Sequence, residues 1–327
     1  MSIIMPVYNA ESVVKDAINS LLQQTYSNFE FLIFNDGSTD NTGHVINSIK
    51  DPRIRLFSEE KNRGLVHNLN EGLRLAQGVY IARMDSDDIS MPTRLEKQVN
   101  YLEQNSEIDV LGSSIWLFAQ NKKKIDIWKY PKVDGEFKAR LISNTCFAHP
   151  SILIRRELVD QSIYYYDQDY YPAEDYELWT RLILKRVRFF CLEEPLLKYR
   201  ISAGQIGNNP VQRIKANQVR RKYLESLIPS DNSLSDWLAD FFEGGQNGSF
   251  FIEKNLKVQL QKVAEYFEDE DPEFKRELAR LIFFRLTPWA NKNFKAYTLF
   301  KSTSLGNYYK ATFRNTIKLS FLERSKV

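Results

Sequence analysis

The sequence predicts an α/β protein, a mostly parallel sheet with helices on both faces followed by an α-helical C-terminal region. Two observations predict it. Through residue 104, apolar runs of strand length alternate with stretches whose apolar residues recur at helical spacing. Beyond residue 208 strand-like runs become rare and long helical patterns take over, which divides the chain into domains at 1–208 and 209–327.

Residues 3–7 form an apolar run ending at Tyr8-Asn9 and read as a buried strand. Residues 10–24 place Val13, Val14, Ala17, Ile18, Leu21 and Leu22 on a helical period. FEFLIF at 29–34 reads as a second strand, closed by the turn cluster NDGSTD at 35–40. A helix over 42–49, a strand over 54–57 and a helix over 65–76 follow, the last with Leu69, Leu73 and Ala76 on one face and Gly78 as its stop. Residues 79–84 supply a fourth strand. After Asp88 a helix resumes at Pro92, a favoured first-turn residue, with Leu95, Val99 and Leu102 inward. Strands over 110–118 and 151–154, a polar lysine turn at 120–124 and a helix over 176–184 complete this half. Helices over 211–227 and 256–267 typify the second.

With 327 residues, 43% hydrophobic and 27% charged, the chain can bury a sizeable core. A net charge of +3 excludes a nucleic-acid binder that works by bulk charge. Cys146 and Cys191 form no CxxC pair, and with three histidines this excludes a disulfide framework and a structural zinc site. The first residues have no basic start, and Pro6 interrupts their apolar run, so no export signal is read. No run approaches the ~18–20 apolar residues of a membrane span. A cytoplasmic protein is expected, peripheral at most on the inner face of the membrane.

Charge is uneven: residues 210–327 carry 20 basic and 14 acidic side chains, a net +6, against −3 for the rest. The last 37 residues interleave Lys292, Lys295, Lys301, Lys310, Arg314, Lys318, Arg324 and Lys326 with aromatic and aliphatic residues. Such a tail suits an anionic membrane surface. It equally suits a helix packed on the core with a solvated basic face. Acceptor binding, membrane attachment and oligomerisation all remain open for the C-terminal helices.

In an open parallel sheet, ligands bind at the carboxyl ends of the strands. Three polar clusters fall there: Tyr8-Asn9, Asn35-Asp36-Gly37-Ser38 and Asp85-Ser86-Asp87-Asp88. Singly, each has an ordinary reading as a turn, a helix cap or a solvated loop. Neither GxGxxG nor GxxxxGK[ST] occurs, so phosphates would have to be held by other means. Carboxylates holding magnesium or manganese are one such means. The Asp85-Ser86-Asp87 run supplies two carboxylates, of which one would meet the ribose and the next the metal.

The motifs Pro6-Val7-Tyr8-Asn9, Asn35 to Asp40 (NDGSTD), Asn62-Arg63-Gly64-Leu65, Ala82 to Asp88 (ARMDSDD) and Glu174-Asp175-Tyr176-Glu177-Leu178-Trp179 occur together and in this order. The chain thereby resembles a family 2 glycosyltransferase of the GT-A fold, of the bacterial kind that builds surface polysaccharide or lipo-oligosaccharide. The resemblance covers residues 1–205 and not the helical remainder. It implies an inverting, metal-dependent transfer of a sugar from a nucleotide sugar, a UDP-sugar first, to a hydroxyl of a lipid-linked glycan, as in capsule or lipopolysaccharide synthesis.

Residue by residue, the resemblance implies that Pro6, Tyr8 and Asn9 line the base and ribose pocket and that Asp36 accepts from uracil or ribose. Arg63 would lie beside the nucleotide. Asp85, Ser86 and Asp87 match the DxD-type motif, with Asp87 as the ligand of Mn2+ or Mg2+. Asp175 would be the general base, with Glu174 beside it; without the other motifs this pair is simply an acidic first turn favoured by the helix dipole. Arg83 reads as a structural partner of the aspartates. His149 has two readings, a satisfied structural residue or an acceptor- or diphosphate-side group. Tyr199-Arg200-Ile201-Ser202 resembles the segment that closes over the diphosphate. No His stands near Ser202, where many relatives carry one, so that role rests on Arg200. The QxxRW signature of processive synthases is absent at Gln205-Ile206-Gly207, which favours one sugar per encounter.

Two alternatives are weighed. A sugar nucleotidyltransferase wants a glycine-rich basic loop after the first strand, where this chain has Tyr8-Asn9-Ala10-Glu11. A non-catalytic glycan- or partner-binding module has little need to keep metal-site and base carboxylates together. The donor sugar, acceptor and linkage position are not legible.

Overall fold

The computed structural model describes residues 1–119, 124–201, 209–243, 256–290 and 300–309. Most of the lysine turn at 120–124, positions 202–207, and the basic tail apart from 300–309 lie outside these. The chain divides into two compact units, Met1–Lys132 with Thr145–Ala216, and Val133–Asn144 with Asn217–Val327.

The first unit is built on a sheet whose strands are β1 (Ser2–Val7), β2 (Glu30–Asp36), β3 (Ile54–Glu59), β4 (Tyr80–Arg83), β5 (Ile89–Ser90), β6 (Val110–Ala119), β7 (Lys124–Trp128), β8 (Leu153–Arg155) and β9 (Phe189–Ile201). They run in the order β3-β2-β1-β4-β8-β6-β9-β5, with β7 also paired to β6. The first four strands are parallel. The other half is mixed: β8 is antiparallel to β4 and β6, while β9 is parallel to β6.

Helices α1 (Val14–Leu22), α2 (Thr42–Ser48), α3 (Leu65–Leu75) and α4 (Arg94–Gln104) follow the strand order. Ile3, Ile4 and Met5 are all buried, as in a strand covered on both faces. Val14, Ala17, Ile18 and Leu21 of α1 and Leu95, Val99 and Leu102 of α4 join one core with Ile3 and Met5. On α3, Gly72 lets the helix close on β1: a Cβ there would stand 2.5 Å from Ile4 Cγ2.

Strand order reverses at β1. Successive crossovers place β2 and β3 on one side of it and β4 on the other. The crevice beyond the carboxyl ends of β1 and β4 is thus a topological switch point, where ligands of open α/β sheets bind. Two elements hold its floor. Strand β5 pairs with Leu197 and Lys198 of β9, and Met84 N–H donates to the Ile4 carbonyl at 3.1 Å. The segment 84–88 is therefore tethered at both ends. Helix α6 (Glu157–Asp160) follows β8, and α7 (Glu174–Leu184) runs between a short helical turn at Gln168–Tyr170 and β9.

The second unit is helical. It contains α5 (Asp134–Arg140), most of α8 (Pro210–Leu227), α9 (Asn232–Glu243), α10 (Leu256–Tyr266), α11 (Pro272–Ala290) and the short α12 (Leu305–Tyr308). Phe137, Tyr223, Phe241, Leu260, Phe274 and Ile282 are buried. Arg220 donates to the Ile142 and Ser143 carbonyls at 3.2 and 2.8 Å, and the Tyr223 hydroxyl to Lys138 at 2.9 Å. These bonds bring residues 133–144 into this unit.

Candidate active site

Parallel pairing puts the ends of β1, β2 and β4 on one edge, and side-chain bonds knit the loops beyond them. Asn9 sits at φ 48°, a left-handed backbone that Asn tolerates. Its Oδ1 accepts the Thr39 N–H at 2.9 Å while its own N–H donates to Ser38 Oγ at 3.0 Å. Pro6 lies half-buried in β1, opposite Phe34, and Tyr8 is 49% exposed at the tip. The Asp36 carboxylate is buried and accepts two backbone N–H groups, Arg63 at 2.7 Å and Gly64 at 3.0 Å. Asp36 thus holds the Asn62–Gly64 motif in place, with the Arg63 side chain half-exposed. Gly37 makes this approach feasible: it has φ 65°, and a Cβ on it would meet the Lys61 carbonyl carbon at 2.6 Å.

Beyond β4 the backbone turns at Ser86-Asp87 instead of continuing extended. The turn brings Asp85, Asp87 and Asp88 together, with one carboxylate oxygen of each within 4.8 Å of the others. Asp88, buried at 1% exposure, accepts the Arg200 N–H at 2.8 Å through Oδ1, while Oδ2 has no partner among the described residues. Burial and the charge of Asp85 push the Asp87 carboxyl up to about 6 and Asp88 well above the carboxylate range. Three crowded carboxyls with an unpartnered buried oxygen fit a hard divalent cation, which takes oxygen donors and would neutralise them.

Arg83 stands between this loop and α7. Its guanidinium is buried, and Nη2 pairs with Asp85 Oδ1 at 2.5 Å. The same charge favours the ionised forms of Asp87, Asp88, Glu174 and Asp175. Beneath it, Arg94 Nη2 donates to the Arg83 carbonyl at 3.0 Å. Arg200 packs against the loop from β9: Nε donates to the Asp87 carbonyl at 2.7 Å and the guanidinium lies 4.6 Å from the Phe118 ring centre. In this arrangement Arg200 braces the aspartate loop.

Glu174 and Asp175 open α7. Burial, then the charge of Asp175, pushes the Glu174 carboxyl up to about 7, and Asp85 adds to the effect. Glu174 Oε2 has no hydrogen-bond partner among the described residues. Burial also raises Asp175. Its Oδ1 accepts the Tyr176 N–H at 2.7 Å and its Oδ2 the Thr145 hydroxyl at 3.3 Å. His149 is buried, its Nε2 2.7 Å from the Tyr166 hydroxyl, which in turn lies 3.1 Å from that of Tyr164. Burial and the Arg83 charge keep the imidazole neutral. Of the sequence-predicted residues, Pro6, Tyr8, Asn9, Asp36 and Arg63 gather at the β1–β2 end. Arg83, Asp85, Ser86, Asp87, Arg200, Glu174 and Asp175 gather around the β4 end. Thr145 and Tyr166 carry no signal in the sequence, and Asp88, though part of the acidic motif, has no expected role of its own there.

Residues 2–163 match the model of glycosyl transferase family 2. An uncharacterised glycosyltransferase of Haemophilus influenzae is 33% identical over 237 residues, spanning 68% of this chain and 72% of its own. The O-antigen biosynthesis glycosyltransferase WbnJ of Escherichia coli is 34% identical over 62% of this chain and 79% of its own. A third relative, the E. coli UDP-Glc:alpha-D-GlcNAc-diphosphoundecaprenol beta-1,3-glucosyltransferase WfgD, is 30% identical over 81% and 95%. The crystal structure of Staphylococcus aureus TarS 1–349 with UDP-GlcNAc shares the fold, with a TM-score of 0.59 at 19% identity over 92% of this chain and 90% of that one. A mannosyltransferase from Pyrobaculum calidifontis, PcManGT, solved with GDP-Man and Mn2+, aligns with a TM-score of 0.50 at 16% identity over 91% and 84%. The chain belongs to glycosyl transferase family 2 and is a glycosyltransferase.

Proposed function

We propose that this enzyme is an inverting, metal-dependent glycosyltransferase that moves a sugar from a UDP-sugar to a hydroxyl of a lipid-linked glycan during surface-polysaccharide synthesis. The observation that carries the reading is the meeting of Asp85, Asp87 and Asp88 beside Arg83, which also lowers, against the rise from burial, the Glu174 and Asp175 carboxyls that open α7. A metal-dependent inverting displacement uses two carboxylate sites: one that would hold a cation on the side of the leaving diphosphate, and one that takes the proton of the attacking hydroxyl.

Asp87, with Asp85 and Asp88, is the set that would hold the divalent cation, which supplies neutralisation of charge on the departing diphosphate. Pro6, Tyr8, Asn9, Asp36 and Arg63 would receive the nucleoside. Asp175 accepts the proton of the acceptor hydroxyl as that oxygen bonds to the anomeric carbon. The bond from that carbon to the diphosphate oxygen breaks, and its electron pair leaves with the nucleotide. Thr145 and the Tyr176 N–H hold the carboxylate for this step. Positioned base catalysis contributes about 10²–10⁴-fold. His149, buried and bonded to Tyr166, supports the acceptor side from behind. The name of WfgD specifies a UDP-sugar donor, a diphospholipid acceptor and a β-linkage, and TarS was crystallised with UDP-GlcNAc, which supports this choice of donor and acceptor. Among the described residues no helix is long and apolar enough to cross a membrane. A lipid-linked acceptor would therefore be met at the membrane surface, where the basic tail suits anionic lipid.

The test is to incubate the enzyme with UDP-sugars and Mn2+ and to read the product anomer by NMR. An α-donor should yield a β-product, and retention would overturn the inverting assignment. Calorimetry on Asp87→Ala, with and without Mn2+, should show metal-dependent donor affinity lost. Equal affinities in wild type and variant would remove Asp87 from the metal site.

A further inference from the structure

The loop that precedes the base keeps a tyrosine in the open. Residues 163–171 are pinned at several points. Asn70 clasps the Tyr166 backbone, with Nδ2 donating to its carbonyl at 2.8 Å and Oδ1 accepting its N–H at 2.9 Å. Arg181 donates to the Ile163 and Tyr165 carbonyls at 2.9 and 2.7 Å. The Asp167 side chain accepts the Asp169 N–H at 2.9 Å, and Tyr171 N–H closes the turn on Gln168 at 3.2 Å. On this fixed support the Tyr171 ring stays 39% exposed. Burial, then the charge of Glu174, pushes its hydroxyl up.

We propose that Tyr171 is the platform on which the acceptor's terminal pyranose ring packs. This rests on Asp175 being the base. The reacting hydroxyl must lie within hydrogen-bond reach of Asp175, about 2.6–3.2 Å, which leaves the ring that bears it one ring-width away. Tyr171 stands four residues before Asp175, in the turn that the Ala173 N–H closes on the Tyr170 carbonyl at 2.7 Å just ahead of α7. The other exposed aromatics of this unit are placed differently. Tyr8 is at the β1 tip, Trp128 is on β7, and the Tyr165 ring is covered by the Arg181 guanidinium at 4.0 Å. A tyrosine offers a large amphipathic surface at low entropic cost, with two side-chain torsions to fix. The C–H face of a pyranose is apolar, and a hydroxyl on its rim can meet the phenol.

The experiment compares Tyr171→Ala, Tyr171→Leu and Tyr171→Phe in two reactions: hydrolysis of UDP-glucose and UDP-GlcNAc by water, and transfer to a panel of p-nitrophenyl pyranosides. For Tyr171→Ala and Tyr171→Leu, kcat/KM for the glycoside should fall by about tenfold or more through KM, with hydrolysis within about twofold of wild type. Tyr171→Phe should keep most of the transfer. An unchanged glycoside KM in Tyr171→Ala, or an equal fall in hydrolysis, would overturn the proposal. Whether or not the panel is turned over, protein labelled with 3-fluorotyrosine reports the contact. The resonance lost in Tyr171→Phe should move on adding glycoside, and no movement across the panel overturns the assignment. Asp175→Asn run alongside separates the two claims: full transfer by that variant defeats the base, while the glycoside KM and the fluorine shift judge Tyr171.

Discussion

Replacing Glu174 with Gln tests how strongly the fold opposes a negative charge at the start of α7. The carboxyl is buried beside Asp175, and its pKa rises from 4.5 to about 7. Below pH 4.5 the group is neutral in both folded and unfolded chains. Between pH 4.5 and about 7 the unfolded chain releases the proton that the folded chain keeps, so stability falls as pH rises, and the loss is complete above about 7. At 1.36 kcal/mol per unit the loss is about 3 kcal/mol. Gln keeps the shape without the titration. The variant should therefore match wild type at pH 5 and melt about 5 °C higher at pH 8. Thermal melts followed by circular dichroism, with EDTA in both buffers to keep cations from Asp85, read the difference. The same offset at both pH values, or a less stable variant at pH 8, would refute a buried neutral carboxyl at this position.

Two further substitutions address how the loops and the base are held. Thr145→Val removes the hydroxyl donor to Asp175 Oδ2, which favours the carboxylate. The acidic limb of the pH–rate profile should move up and kcat should fall about tenfold, with donor affinity unchanged by calorimetry and Thr145→Ser restoring the rate. Gly37→Ala places a methyl 2.6 Å from the Lys61 carbonyl carbon at φ 65°. It should cost about 1–3 kcal/mol, read as a lower melting temperature, and should weaken UDP binding by moving the Arg63 loop.

Much of this was legible in the sequence because the parallel half of the sheet follows simple periodicities. Ile3 to Val7 is apolar throughout since both faces of β1 are covered, and Leu69 and Leu73 recur one helical turn apart on α3. In the other half β6, β8 and α7 stand where strands and a helix are expected, while β5, β7, β9 and α5 are not anticipated. Strand β9 contains Glu193-Glu194-Pro195, charges and a proline that interrupt any strand period; in the structure the β6–β9 register shifts beside Ser114, opposite Pro195, and the bulge absorbs residues that cannot sit in a regular ladder. Strand β5 has two residues, too few for any period. Helix α5 lies between loops, and its place in the second unit depends on bonds to Arg220 and Tyr223, far along the chain.

Site residues divide the same way. Asp36, Asp87 and Asp175 stand in recognisable motifs at strand and helix ends. An extended strand would put Asp85 and Asp87 on one face and Asp88 on the other; the turn at Ser86-Asp87 is what brings Asp88 to the other two. Thr145 and Tyr166 are ordinary residues in sequence and gain meaning only through what they touch, Asp175 and His149.

Asp175→Asn is the most direct trial of a carboxylate base facing the aspartate loop. Single-turnover transfer and donor Kd are measured on the same preparation with Mn2+. Transfer should fall by about 10²–10⁴-fold while Kd stays within about threefold of wild type. Near-normal turnover by the amide would contradict Asp175 as the proton acceptor.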